Sequence, residues 1–127
     1  SLGQGKDTRS QLIDAFAGIS KHEHALASKL YNGLKKIDGI TIIGQDFSSA
    51  MRTPTVSFTT KGKRPEQVCA ALAAENICAW DGHFYAIRAI ESLGLLEQGG
   101  VTRMGISVYN TDEEIDNVIA TVTHIAR

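Results

Sequence analysis

Val101-Thr102-Arg103-Met104-Gly105-Ile106-Ser107-Val108-Tyr109, running on into Asn110-Thr111-Asp112-Glu113-Glu114-Ile115, is the stretch that decides the fold. Apolar and β-branched residues at a spacing of two predict a strand over residues 101–109. Met104, Ile106 and Val108 share the face expected to meet helices, and Arg103, Gly105, Ser107 and Tyr109 share the other. Thr111 to Glu114 then reads as a Thr-x-x-Glu capping box. It opens a last helix with Ile115, Val118, Ile119, Val122 and Ile125 on one side.

Working back from this strand, Gly99-Gly100 is a break and Gly94 ends a short helix over residues 83–93. Residues 77–80 are a strand candidate, and Pro65 at a first helical position starts a helix over residues 65–76. Pro54 opens a strand with Val56 and Phe58 on one face and Thr55, Ser57 and Thr59 on the other. Ile40-Thr41-Ile42-Ile43 is a short strand closed by Gly44. Residues 7–37 read as one long helix, capped by Asp7 or Thr8, with Leu12, Phe16, Ile19, Leu26, Leu30, Leu34 and Ile37 on one stripe. Gly18 and Gly33 weaken it locally. The order α-β-β-α-β-α-β-α predicts a two-layer α/β domain: a small sheet covered on one face by helices, with a long N-terminal helix. Residues 1–6 are expected to be a flexible leader and residues 7–127 a single domain, made of a connecting helix over 7–37 and a small domain over 40–127.

The length of 127 residues suits one domain. Hydrophobic residues at 43% and charged residues at 21% are globular proportions, which argues against disorder. A net charge of −1, with 14 acidic against 13 basic groups, argues against a nucleic-acid partner. No apolar run approaches the roughly 20 residues needed to cross a bilayer, so no membrane partner is expected and the expected location is the cytoplasm. Cys69 and Cys78 lack the CxxC spacing of a redox or zinc site and are expected to be free, buried thiols.

Arg103 stands on a face stripped of bulk, and its planar fork suits a carboxylate held by two parallel hydrogen bonds. Asp81-Gly82-His83 falls between a strand and a helix, where free N–H groups favour anions, and the His83 imidazole is a candidate acid or base. His22 and His24 point to different sides of a helix and make no metal pair, and no metal site is expected. There is no GxGxxG or GxxxxGK[ST] phosphate cradle and no nucleophile elbow. Composition and spacing alone therefore leave open a stand-alone α/β module that binds an amino acid or a partner protein without catalysis.

Residues 102–116, from Thr102-Arg103 through Tyr109-Asn110-Thr111 to Asp116, resemble the C-terminal signature of class V aminotransferases, the group that includes cysteine desulfurases and selenocysteine lyases. Arg52-Thr53-Pro54-Thr55-Val56-Ser57-Phe58 and Asp81-Gly82-His83-Phe84-Tyr85 are similar to the cysteine-desulfurase-like branch, as is the long helix running into Asp38-Gly39-Ile40. The resemblance implies the small C-terminal domain of a fold-type I pyridoxal-phosphate enzyme, a transferase or lyase. It implies that Arg103 binds the α-carboxylate of a small amino-acid substrate, with His83 and Asp81 near the mouth of the site. It further implies a large domain on the same polypeptide, a homodimer in the full enzyme, and pyridoxal 5'-phosphate bound by the full-length enzyme and not by this chain alone.

Two departures from the family pattern bear on mechanism. The loop in which cysteine desulfurases carry a nucleophilic Cys reads Gly82-His83-Phe84-Tyr85-Ala86, without a thiol. None of Lys6, Lys21, Lys29, Lys35, Lys36, Lys61 or Lys63 lies in the Ser-x-His-Lys-like motif that supplies the Schiff-base Lys. The chain on its own is accordingly expected to be inactive.

Overall fold

The computed structural model describes residues 7–48 and 52–127, so the expected leader over 1–6 lies outside the described residues. Four helices and four strands follow in the order α1 (Thr8–Leu34), β1 (Ile40–Ile43), β2 (Thr55–Thr60), α2 (Pro65–Ala74), β3 (Trp80–Gly82), α3 (Ile87–Ser92), β4 (Val101–Gly105) and α4 (Asp112–Ile125). The strands form one sheet in the order β1-β2-β4-β3, antiparallel throughout. This is the α/β arrangement expected from the sequence, with β4 in the interior of the sheet between β2 and β3.

Alternation along β2 sets the two faces. Val56, Phe58 and Thr60 are buried while Thr55, Ser57 and Thr59 are half-exposed. The register carries this across to β4, where Met104 lies opposite Val56 and Thr102 opposite Phe58. Against that face pack Leu26, Leu30 and Leu34 of α1, Val68 and Leu72 of α2, and Ile115 and Val122 of α4, all in one cluster. Ser57 faces Arg103 on the opposite side, and Trp80 of β3 lies opposite Arg103 from the other neighbour.

The caps hold the layers in place. Asp7 accepts a hydrogen bond from Ser10 N at 3.1 Å to start α1. Thr111 and Glu114 form the reciprocal capping box of α4, with Glu114 N donating to Thr111 Oγ1 at 3.2 Å and Thr111 N to Glu114 Oε2 at 3.0 Å. Lys29 pairs with Asp112 and, at 2.8 Å, with Asp116, tying α1 to the start of α4. Gly33, read from the sequence as a weak point, is where these helices approach: a Cβ there would meet Ile119 Cδ1 at 2.4 Å.

Several expected boundaries shift, each for a local reason. The α-helix α1 stops at Leu34, because Lys36 N and Ile37 N bond back only three residues, to Gly33 and Leu34. Its apolar stripe is buried only from Leu26 onward, and Leu12 and Phe16 are exposed at 54% and 66%. The strand expected over 77–80 begins at Trp80. Asn76, at φ +59, ends α2 with Ile77 N bonded to Leu72 O and Asn76 N to Ala73 O, which spends the Ile77 N–H on the helix end. The strand expected over 101–109 ends at Gly105. Its neighbour β2 has run out, since Pro54 offers a carbonyl to Ile106 N at 2.9 Å but no N–H in return. Asn110 Oδ1 then takes Ser107 N at 2.8 Å and turns the chain. Val108 is therefore exposed, at 45%, and not part of the helix-facing core. The cysteines are free as expected, but only Cys69 is partly covered; Cys78 is exposed.

Candidate functional site

Arg103 is half-buried and points to the side of the sheet away from the main core, the consequence of alternation with the buried Thr102 and Met104. Its guanidinium Cζ lies 3.7 Å from the centroid of the Phe84 ring, a cation–π contact over the ring face. Arg103, together with residues 80–85, lines an open cleft of about 490 Å³. Among the described residues Arg103 has no salt bridge, so its guanidinium stands in the cleft without an ion-pair partner.

The wall opposite Arg103 is a turn that the sequence read as the start of a helix. The helix α3 begins four residues later than expected, at Ile87. Phe84 and Tyr85 have φ of +51° and +61°, conformations closed to a helix and rare for residues with a β-carbon. Ala86 N donates to His83 O at 2.8 Å across the turn, and Tyr85 N donates to His83 Nδ1 at 3.2 Å. Left-handed φ at a residue other than Gly costs on the order of 1–3 kcal/mol and gathers at functional sites. The turn sends Phe84 inward over Arg103 and Tyr85 outward, where it is 98% exposed.

The three candidate residues from the sequence do not all occupy the same side. Arg103 and His83 line the cleft together. Asp81 also lines the cleft, but it lies opposite Thr102 in the register, and its carboxylate belongs to the helix-covered side beside Cys69. Burial, and then the Asp81 charge and hydrogen bond, push the Cys69 thiol up to about 11. His83 accepts at Nδ1 within its own turn, which leaves Nε2 as the ring nitrogen not engaged there. Trp80 and Phe84 were missed as parts of the site. Trp80 follows from its pairing with Arg103 once the register is known; a left-handed Phe84 has no signature in residue pattern.

Among the described residues no group of three or more His, Cys, Asp and Glu could hold a metal ion. The described lysines do not fit the Schiff-base position of pyridoxal phosphate. That position needs a desolvated ammonium with a lowered pKa, whereas hydrogen bonds from Lys29 to Asp112 and Asp116 raise its pKa. Lys21, Lys35, Lys36, Lys61 and Lys63 are exposed.

The fold is shared with solved cysteine desulfurases. The enzyme from Thermococcus onnurineus superposes with a TM-score of 0.80 at 24% identity, over 93% of this chain and 28% of that one. The cysteine desulfurase CsdA from Escherichia coli gives 0.72 at 19% identity, over 94% and 31%. The family model for aminotransferase class V matches residues 12–118, and the chain belongs to that family. It is 36% identical over 104 residues to an aminotransferase-like protein of Gibberella zeae, covering 80% of this chain and 26% of that protein. A probable cysteine desulfurase of Methanothermobacter thermautotrophicus is 34% identical over 109 residues, covering 85% of this chain and 26% of that protein. The chain thus spans about a quarter of the length of these two relatives. Family membership implies pyridoxal phosphate in the full-length enzyme.

Proposed function

We propose that this chain is the C-terminal small domain of a pyridoxal-phosphate-dependent enzyme of the cysteine-desulfurase-like group, and that Arg103 binds the α-carboxylate of its amino-acid substrate. One observation carries the reading: a half-buried guanidinium, without a salt bridge among the described residues, held over the face of Phe84 in an open cleft. A bidentate carboxylate is the natural complement to such a group. Holding the carboxylate fixes the orientation of the substrate's Cα bonds, and that orientation selects the bond to be broken. His83 stands at the same mouth with Nε2 available to a polar group of the substrate.

The cofactor would be held by the rest of the polypeptide, since the described lysines do not suit it, and the chain alone would be inactive. The described cleft residues include no thiol; Cys69 lies with Asp81 on the helix-covered side, and Cys78 does not line the cleft. This supports amino-acid chemistry without a persulfide on this domain. A homodimer and a cytoplasmic location belong to the same reading. No helix among the described residues is long and apolar enough to cross a membrane.

The test is Arg103→Ala in the complete enzyme. We expect kcat/KM to fall by the equivalent of about 2–4 kcal/mol, the cost of losing a charged bidentate contact, with the fold intact. Unchanged kinetics would overturn the carboxylate role. The gene gives an independent check: the reading frame should hold a further segment of roughly 250–300 residues, about the size of a large cofactor-binding domain, with a Ser-x-His-Lys-like motif.

A further inference from the structure

We propose that Phe84 is a positioning residue for Arg103, and that the strained turn carrying it exists to keep its ring against the guanidinium. The proposal rests on the reading of Arg103 as a carboxylate ligand. It begins from two facts with no other evident reason: consecutive Phe and Tyr residues at φ +51° and +61°, and a ring centroid 3.7 Å from Arg103 Cζ.

The pair of positive φ values, closed by Ala86 N donating to His83 O at 2.8 Å, is the pattern of a type I′ turn. Such turns take Gly, Asn or Asp at their central positions, because those residues tolerate left-handed backbone. Phe and Tyr are a poor choice for the turn itself. A gain outside the turn explains Phe84, and the contact it makes is with Arg103.

That contact answers a specific need. Ser57 and Trp80 flank Arg103 in the register, and no carboxylate orients it among the described residues. A free Arg side chain samples many rotamers and loses that freedom on capturing a ligand, which weakens binding. A ring over one face of the guanidinium restricts those rotamers beforehand. It leaves the in-plane N–H edge, which grips a carboxylate, uncovered. The ring also removes water from one side of the cation and strengthens its attraction for an anion.

The discriminating variant is Phe84→Gly, which suits the turn better and lacks the ring. A residue present only for structure would, on this change, leave the chain unaltered or more stable with ligand binding untouched. We expect Phe84→Gly to melt no lower than the parent chain and to lose the ring-current shift on the Arg103 side-chain protons in NMR spectra. L-Alanine, titrated against the Arg103 Nε–H signal with ethylamine as the control lacking a carboxylate, should bind about three- to tenfold more weakly, the range of a partly exposed cation–π contact. Phe84→Trp should restore both signals. Arg103→Ala distinguishes the failures, followed on the fluorescence of Trp80, the single Trp of the chain. If Arg103→Ala abolishes alanine binding while Phe84→Gly binds as the parent does, the positioning role is overturned and the carboxylate reading stands. If Arg103→Ala binds alanine as the parent does, the carboxylate reading falls, and the positioning role with it.

Discussion

The two faces of β4 differ in what their residues are bound to. On one side Thr102 and Met104 lie opposite Phe58 and Val56, under the layer formed by α1, α2 and α4. On the other, Arg103 and Gly105 lie opposite Ser57 and Thr55, and the neighbouring aromatic residue on β3, Trp80, is 71% exposed. Residues one position apart on the same strand thus serve packing on one side and, in the proposed function, recognition on the other. The fold tolerates an unpaired cation here because the strand's alternation keeps it out of the low-dielectric core, where an isolated charge would be prohibitive.

The largest effect that tests this division is Phe58→Ala. Phe58 is fully buried in the main cluster, and the truncation is expected to cost about 3–5 kcal/mol in transfer and cavity terms. Its neighbour Ser57→Ala, on the open face, should change stability by less than about 0.5 kcal/mol. Urea unfolding of the two variants measures the contrast, and similar losses at both positions would show that the open face contributes to the core after all.

A second comparison lies along α1, between a glycine in open space and one in a helix contact. No atom outside its own surroundings lies within 4 Å of a Cβ built on Gly18, whereas one on Gly33 would overlap Ile119. Gly18→Ala should stabilise the chain by up to about 1 kcal/mol through helix propensity alone. Gly33→Ala should instead destabilise it by about 1–3 kcal/mol, because displacing Ile119 outweighs the same propensity gain. A stabilising Gly33→Ala would mean that α1 and α4 separate more easily than their contact suggests.

The order of all eight elements was legible because each depends on local signals. Period-two alternation marked β2 and β4, a capping box marked α4, and Gly94 marked the end of α3, where it sits at φ +69 with Leu95 N bonded to Ile90 O. The ends of the strands were not legible, because a strand ends where its partner does. Nothing within residues 106–109 says that Pro54 stands opposite without an N–H, so Val108 read as core. The candidate site divides in the same way. Arg103 on an open face followed from alternation, while the opposite placement of Asp81 required the β3–β4 register. Phe84 required a backbone conformation that its residue type disfavours. The exposed half of α1 resists sequence reading for another reason: periodicity identifies the stripe containing Leu12 and Phe16 but not where along the helix its packing stops.

The smallest expected effect concerns the two thiols, which also lie in contrasting environments. Cys69 is partly covered beside Asp81, and its pKa is pushed up from an ordinary 9.0 to about 11 by burial first and by the carboxylate second. Since the fold favours the neutral thiol, the resulting stabilisation is fully present below the unfolded value of 9.0 and is lost as pH rises through about 11. Unfolding free energies measured at about pH 8 and about pH 10.5 should therefore fall more for the parent chain than for Cys69→Ala, which has no thiol to ionise. Equal falls would place the Cys69 thiol in a solvent-like environment and remove the Asp81 carboxylate from its side. Cys78, exposed, supplies the control: iodoacetamide at neutral pH should alkylate it first, and Cys69 only after local opening, because alkylation requires an accessible thiolate. Faster labelling of Cys69 than of Cys78 would reverse the assignment of the two environments, and with it the placement of Asp81 on the side of the sheet away from Arg103.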